Sequence, residues 1–360
     1  MLTFMGMAIL VYGAMNLYAL GKAWRALPRS VPTALALILA GMVLTLSPLL
    51  VQLMERQGSP YVTVAAWVSY AWVGYLFLFL CVGLLFDLAH AFAALLRLNW
   101  PLSNATAFHA VALLALALLG YGFVEARQIQ VEEVTITTPK LASGPITIAQ
   151  ISDLHLGLML GDDFLDRVTA KLRELKPDIV VATGDIVEGH GGDLSALAAR
   201  FHAYTPPLGA YAVLGNHEQH AGLENALRFL HDAGFTVLRG ESAKTGGIVL
   251  AGVDDSMANP NATKAHPPTA PDDFVVLLKH QPVVNSNTRF DLQLSGHVHG
   301  GQIFPFVYLT RLVYGVHTGL TELPDGRMLY VSRGAGTWGP PIRLLAPPEI
   351  TLITIRGSSR

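Results

Sequence analysis

The chain has 360 residues, 24 Lys and Arg against 26 Asp and Glu, and a formal net charge of −2; 52% of it is hydrophobic and 14% charged. That balance provides no basic surface for a nucleic-acid backbone, and a single cysteine, Cys81, excludes both a disulfide framework and a thiolate metal cluster. Only seven of the charged residues fall in 1–124, so the first third reads as membrane-embedded and the rest as an ordinary soluble domain.

Four apolar runs, at about 2–21, 31–54, 61–86 and 105–124, are each long enough to span a bilayer as a helix. Lys22, Arg25 and Arg29 follow the first run instead of preceding it, which argues for an uncleaved span over a signal peptide. As the basic cluster among the short loops they place loop 22–30 in the cytoplasm. Four spans then put the N-terminus and everything beyond residue 124 outside. Asp87 and His90, near the end of the third run, are expected at the membrane interface and are assigned no role.

Residues 125–144 read as a linker and a leading strand, and 145–360 as one domain. Five short strands are predicted in "ITIAQISD" (146–153), "DIVVATGD" (178–185), "AYAVLGNH" (210–217), "FVVLLKH" (274–280) and "LQLSGHVH" (292–299), each ending in Asp or His. Between them "DDFLDRVTAKLRELKP" has Phe164, Val168, Leu172 and Leu175 at helical spacing, and "LENALRFLHDAG" repeats the pattern before stopping at Gly234. Strands alternating with helices predict a layered α/β domain, with ligands bound where strands end. No Walker loop and no nucleophile elbow is present. The Pro-rich 259–273 segment is expected to be an irregular surface loop.

The strand ends are rich in nitrogen and oxygen donors. His297 and His299 are one residue apart, and alternation along a strand would turn both imidazoles toward one point. Gly300 and Gly301 let the backbone turn close beside them. Asp153 and His155, Asp185, Asn216 and His217, and His280 end the other strands. Imidazole and oxygen donors without thiolate suit Mn²⁺, Zn²⁺ or Fe.

The ordered set "SDLHLG", "TGDIVEG", "GNHE", "LLKHQP" and "SGHVHGGQ" resembles the calcineurin-like metallophosphoesterases, and with "SRGAGTWGPPIRLLAPPEI" it is most similar to their membrane-associated branch. The resemblance implies a four-layer α-β-β-α sandwich preceded by four transmembrane helices, and two divalent metals. Asp185 would bridge them. Asp153, His155 and His299 would complete the first site, and Asn216, His280 and His297 the second. His217 would act on the substrate side, as general acid or electrostatic stabiliser, so His217 and Asp185 are the expected catalytic residues. Glu218 is read as a brace for its loop. Gly184, Gly215, Gly296 and Gly300 would permit close backbone approach. His190, His220 and Arg333 are candidate substrate contacts or solvated loop residues, and Trp338 and Arg343 a substrate rim or part of a folded tail. His202, His231, His266 and His317 are read as structural or surface residues.

Four spans would hold such a site near a bilayer, so the expected substrate is a lipid-linked or envelope phosphoester or pyrophosphate, handled outside a bacterial inner membrane. The branch is also similar to enzymes that hydrolyse UDP-2,3-diacylglucosamine, an activity that demands a cytoplasm-facing domain. A non-enzymatic receptor or scaffold would be expected to lose ligands, and none is missing.

Overall fold

The computed structural model describes residues 2–55, 60–141, 144–189, 194–255 and 269–358. The chain divides into two compact units, one running to Val124 together with Gly339–Ile342, the other formed from Glu125 onward.

The first unit consists of helices α1 (Leu2–Ala26), α2 (Val31–Met54), α3 (Pro60–Leu95) and α4 (Asn104–Glu125). Segments Val31–Met54, Tyr61–Leu95 and Asn104–Glu125 are long and apolar enough to cross a membrane among the described residues. The four predicted runs therefore appear as four helices, three of which meet that criterion. Their apolar side chains point outward, Leu35, Leu39 and Leu53 among them, as expected where lipid replaces water. Ser30 caps α2 by accepting the Thr33 N–H. Inside, polar groups pair between helices: Ser47 with Ser69 at 2.9 Å and Trp72 with Asn16 at 3.3 Å. With 36 residues, α3 is about 54 Å long, more than a hydrocarbon core requires. Asp87, in its last third, accepts from Lys22 Nζ at 2.6 Å and Tyr18 Oη at 2.7 Å, so its charge is balanced within the unit.

The second unit is built on two six-stranded sheets. The first comprises β1 (Gln130–Thr138), β2 (Ile146–Ile151), β3 (Ile179–Thr183), β4 (Ala210–Val213), β5 (Phe235–Val237) and β12 (Glu349–Gly357), in the order β1-β12-β2-β3-β4-β5. The second comprises β6 (Glu241–Thr245), β7 (Ile248–Val253), β8 (Val275–Lys279), β9 (Leu292–Ser295), β10 (Gly319–Glu322) and β11 (Met328–Val331), in the order β10-β11-β9-β8-β7-β6. Strands β2 to β5 run parallel, as do β7, β8, β9 and β11. All five predicted strands are present. Strands β3 and β9 are buried on both faces along their whole length, β2 and β8 at all but one residue each and β4 in its second half, as expected of parallel strands covered on both sides.

Ile148, Val181, Leu278, Leu294 and Ile353 belong to the core between the sheets. Helices α5 (Asp162–Leu175), α6 (Ser195–His202) and α8 (Leu223–Asp232) pack on the outer face of the first sheet through Phe164, Val168, Leu172, Phe201 and Leu230, and the short α7 (Asn216–Ala221) leads from β4 to α8. Burying each such side chain contributes about 1.5–3 kcal/mol. Helix α5 ends at Lys176 in a left-handed turn. On the outer face of the second sheet Val249, Val275 and Leu277 pack with Phe290, Val284 and Leu323 from the loops. The Pro-rich segment lies mostly outside the described residues.

Candidate active site

The carboxyl ends of β2, β3, β8 and β9, with the turn after β4, converge on one place. Asp153, His155, Asp185, His297 and His299 all have positive φ, between 50° and 72°. A non-glycine residue held there is strained by roughly 1 kcal/mol or more, and such strain collects at functional sites. This corrects the expectation that His297 and His299 share a strand face. Strand β9 ends at Ser295, and the two histidines lie beyond it, His299 opening a 3₁₀ turn over His299–Gly301. Their imidazoles diverge to two separate clusters.

In the first cluster His155 Nε2 lies 3.1 Å from His299 Nε2, and His299 Nε2 lies 3.5 Å from Asp153 Oδ1. In the second, His280 Nε2 lies 3.0 Å from Asp185 Oδ2, 3.2 Å from Asn216 Oδ1 and 3.0 Å from His297 Nδ1. The ring nitrogens on the far side of these imidazoles are held by oxygen. His155 Nδ1 lies 2.5 Å from Glu188, His280 Nδ1–H donates to the Thr183 carbonyl at 2.8 Å, and Tyr314 Oη accepts from His297 Nε2–H at 2.6 Å. In the neutral tautomers those contacts favour, His155 Nε2, His280 Nε2 and His297 Nδ1 are the lone pairs turned into the clusters. Anchoring of the distal nitrogen is the usual mark of a metal-binding histidine, and it leaves the inward nitrogen free to donate to a cation. The residues fit a pair of divalent metals.

The electrostatics agree. Burial would raise Asp185, but His280 beside it holds its carboxyl well below the usual range. Burial lowers His280, yet the Asp185 and Asp153 charges outweigh it and carry the imidazole to about 10. Burial and neighbouring cations push His297 down to about 3 and His299 well below the usual histidine value. The pocket therefore attracts positive charge while keeping two imidazoles neutral.

Two glycines permit this crowding. A Cβ on Gly215 would stand 2.2 Å from Asp185 Oδ1, and one on Gly296 would stand 2.0 Å from Ser152 Oγ and 2.3 Å from Asp153 Oδ2. Glu218 is fully buried, and its carboxylate accepts from the backbone N–H of Asp185 (3.0 Å), Ile186 (2.6 Å), Val187 (3.2 Å) and Gly215 (2.7 Å). It ties the turn after β3 to the turn after β4. Glu218→Gln turns one acceptor into a donor facing those N–H groups, and we expect it to lower stability by about 3 kcal/mol. Thermal unfolding of the detergent-solubilised protein reads this; an unchanged midpoint would exclude the brace.

His217 donates its backbone N–H to Asp185 Oδ1 at 2.8 Å. Its Nδ1 lies 2.8 Å from Glu188, the carboxylate that also holds His155. Burial lowers His217, but the Glu188 contact and the charges of Asp185 and Glu218 prevail and raise it to about 9. Burial raises Glu188, but its two histidine partners hold it at about 2. Glu188 and Tyr314 carry no local sequence signal for these contacts. The Trp338 ring, half exposed, lies 6.0 Å from that of His217.

Other candidates take structural places. Arg343 is fully buried and donates to the carbonyls of His299, Arg333, Gly334, Gly336 and Ala346, so it is a folding residue and not a rim. Arg333 pairs with Glu132 and, at 2.8 Å, Glu349, which removes it from the list of free substrate contacts. His202, His231 and His317 are exposed. His190, His266 and the His220 side chain lie outside the described residues.

Residues 146–301 match the family model "Calcineurin-like phosphoesterase". An uncharacterized metallophosphoesterase of Aquifex aeolicus is 41% identical over 265 residues, which are 68% of this chain and 98% of that protein. A "Transmembrane protein with metallophosphoesterase domain" of Danio rerio is 32% identical over 271 residues, 68% of this chain and 62% of the other. Among solved structures, the Pseudomonas putida nuclease MPE aligns at a TM-score of 0.30 with 16% identity, over 56% of this chain and 82% of that one. Two packed α/β sheets bearing two buried clusters of Asp, Asn and His define a metal-dependent phosphoester hydrolase. This chain belongs to the calcineurin-like phosphoesterase family and carries its domain behind apolar membrane helices.

Proposed function

We propose that the protein is a membrane-anchored phosphohydrolase that binds two divalent metals and cleaves a phosphoester or pyrophosphate bond in a lipid-linked or envelope-derived substrate. The observation that carries this reading is the pair of donor clusters, Asp153, His155 and His299 in one and Asp185, His280 and His297 in the other. Asp153, His155 and His299 would hold one metal and Asn216, His280 and His297 the other, with Asp185 the residue that would serve both. Bound there, Mn²⁺, Zn²⁺ or Fe would supply an ionised water and neutralise phosphoryl oxygens. Glu188 keeps the His155 ring turned to its cluster and anchors His217 at Nδ1. The proton on His217 Nε2 is then the one passed to the leaving oxygen.

The short-loop charge bias supports a domain outside the cytoplasm. Contact between Lys22 and Asp87 brings the end of α1 and the far part of α3 to the same side, as successive crossings require. Arg97 then joins Lys22, Arg25 and Arg29 there, which adds to the cytoplasmic basic excess. An alkaline phosphatase fusion after residue 130 should be active and a green fluorescent protein fusion dark. The reverse pattern would favour the UDP-2,3-diacylglucosamine reading.

For the chemistry, the purified full chain is assayed on phospholipids, UDP-lipids and nitrophenyl esters. Chelation should abolish turnover and Mn²⁺ or Zn²⁺ should restore it. A metal-loaded protein that turns over none of the panel would leave the scaffold as the better account.

A further inference from the structure

Helix α9 (Val307–Tyr314), which follows the His299–Gly301 turn, has no buried residue. Phe304, Phe306, Tyr308, Leu309, Leu312 and Val313 lie in or just before it and are all exposed, Leu312 by 81%, Val313 by 66% and Tyr308 by 61%. Six large apolar side chains within ten residues form a patch of the kind that marks a contact surface. The one charged residue among them, Arg311, is basic and lies over the Tyr308 ring, 6.0 Å from its centroid. The same helix ends at Tyr314, whose hydroxyl accepts from the candidate metal ligand His297.

We infer that α9 and Phe304–Phe306 form a lipid-interface element that dips into the bilayer and leads an acyl-bearing phosphate toward the dimetal site. Two observations select the bilayer as occupant. Only residues 126–129 separate the last apolar helix from β1, so the domain works within about 14 Å of chain from its own membrane. And an apolar, aromatic helix whose single charge is positive complements acyl chains beneath anionic headgroups. The inference names the substrate class of the proposed phosphohydrolase and rests on that reading for its second half only. Lipid contact at α9 stands independently of turnover.

The full chain is placed in lipid nanodiscs with a cysteine-reactive, environment-sensitive fluorophore at Leu312→Cys, and in a separate sample at Glu322→Cys on β10. Cys81 is replaced by Ser in both. Brominated acyl chains should quench the label at 312 severalfold more than the label at 322. Equal quenching at the two positions would overturn the interface. Independently, Leu312→Asp with Val313→Asp should lower the ratio of rates on a vesicle-borne phosphoester and on soluble bis(4-nitrophenyl) phosphate by about tenfold or more. An equal loss on both substrates would show that α9 supports the Tyr314–His297 contact and does not lead substrate to the site, and that half of the inference would fall. Quenching at 312 without hydrolysis of either substrate would keep the interface and sink the phosphohydrolase reading instead.

Discussion

Asp185→Asn should abolish hydrolysis and remove both metals from the purified protein together. Asp185 is the residue proposed to serve both metals; its carboxylate lies in the second donor cluster, with Oδ2 3.0 Å from His280 Nε2 and Oδ1 accepting the His217 N–H at 2.8 Å. Asparagine keeps the shape but loses the charge and turns one oxygen into a donor. That donor would face His280 or the His217 N–H. In water-free surroundings a buried donor facing a cation or another donor costs several kcal/mol, so affinity should fall by orders of magnitude in both sites at once. Metal analysis of purified Asp185→Asn, next to its rate on nitrophenyl esters, reads both effects. A mutant with two metals and full rate would overturn the dimetal assignment. Asn216→Ala provides the contrast, because it should empty the second site first.

The second large effect is at His217. His217→Ala should retain its metals but lose about 10²–10⁴-fold in rate on alkyl esters, the usual range for acid–base catalysis. A nitrophenolate leaving group scarcely needs a proton, so its loss should be smaller. Equal losses on the two esters would leave His217 an electrostatic role alone. The pH profile adds an independent test. Because Glu188 and its neighbours lift His217 from 6.5 to about 9, the acid form is present at neutral pH and is lost as pH rises through that value. The alkaline limb for alkyl esters should therefore lie near pH 9. Glu188→Gln removes the raising charge and should move that limb to lower pH, whereas a merely structural Glu188 would lower the rate without moving the limb.

The parts of the domain legible in the sequence share one property: their signal is local. Each donor-bearing strand is a β-branched or Leu-rich run ending in Asp, Asn or His, and the amphipathic helices α5 and α8 carry their buried side chains at helical spacing. What was hidden depends on distant partners. Glu188 looks like one more acid in "TGDIVEG" until the fold brings it to His155, 33 residues earlier in the chain. Tyr314 is 17 residues past His297 and reaches it only because α9 folds back. Arg343 sits in a Pro- and Gly-rich stretch whose composition suggests exposure, yet carbonyls from three turns enclose it. The spacing of His297 and His299 misled for a related reason. Period two holds only while the strand continues, and β9 stops before either residue.

The left-handed backbone at Asp153, His155, Asp185, His297 and His299 also limits how this site can change by mutation. Among residues with a Cβ, Asp, Asn and His enter that conformation most readily, and β-branched or bulky residues are outliers there. These are also residue types that can donate to Mn²⁺, Zn²⁺ or Fe. Backbone and ligand chemistry thus select from the same short alphabet. A library randomised at the five positions should return folded proteins enriched in Asp, Asn, His and Gly even when screened for stability alone. Exchange within that set would retune which metal is held, so new metal preferences are reachable by single steps without rebuilding the loops.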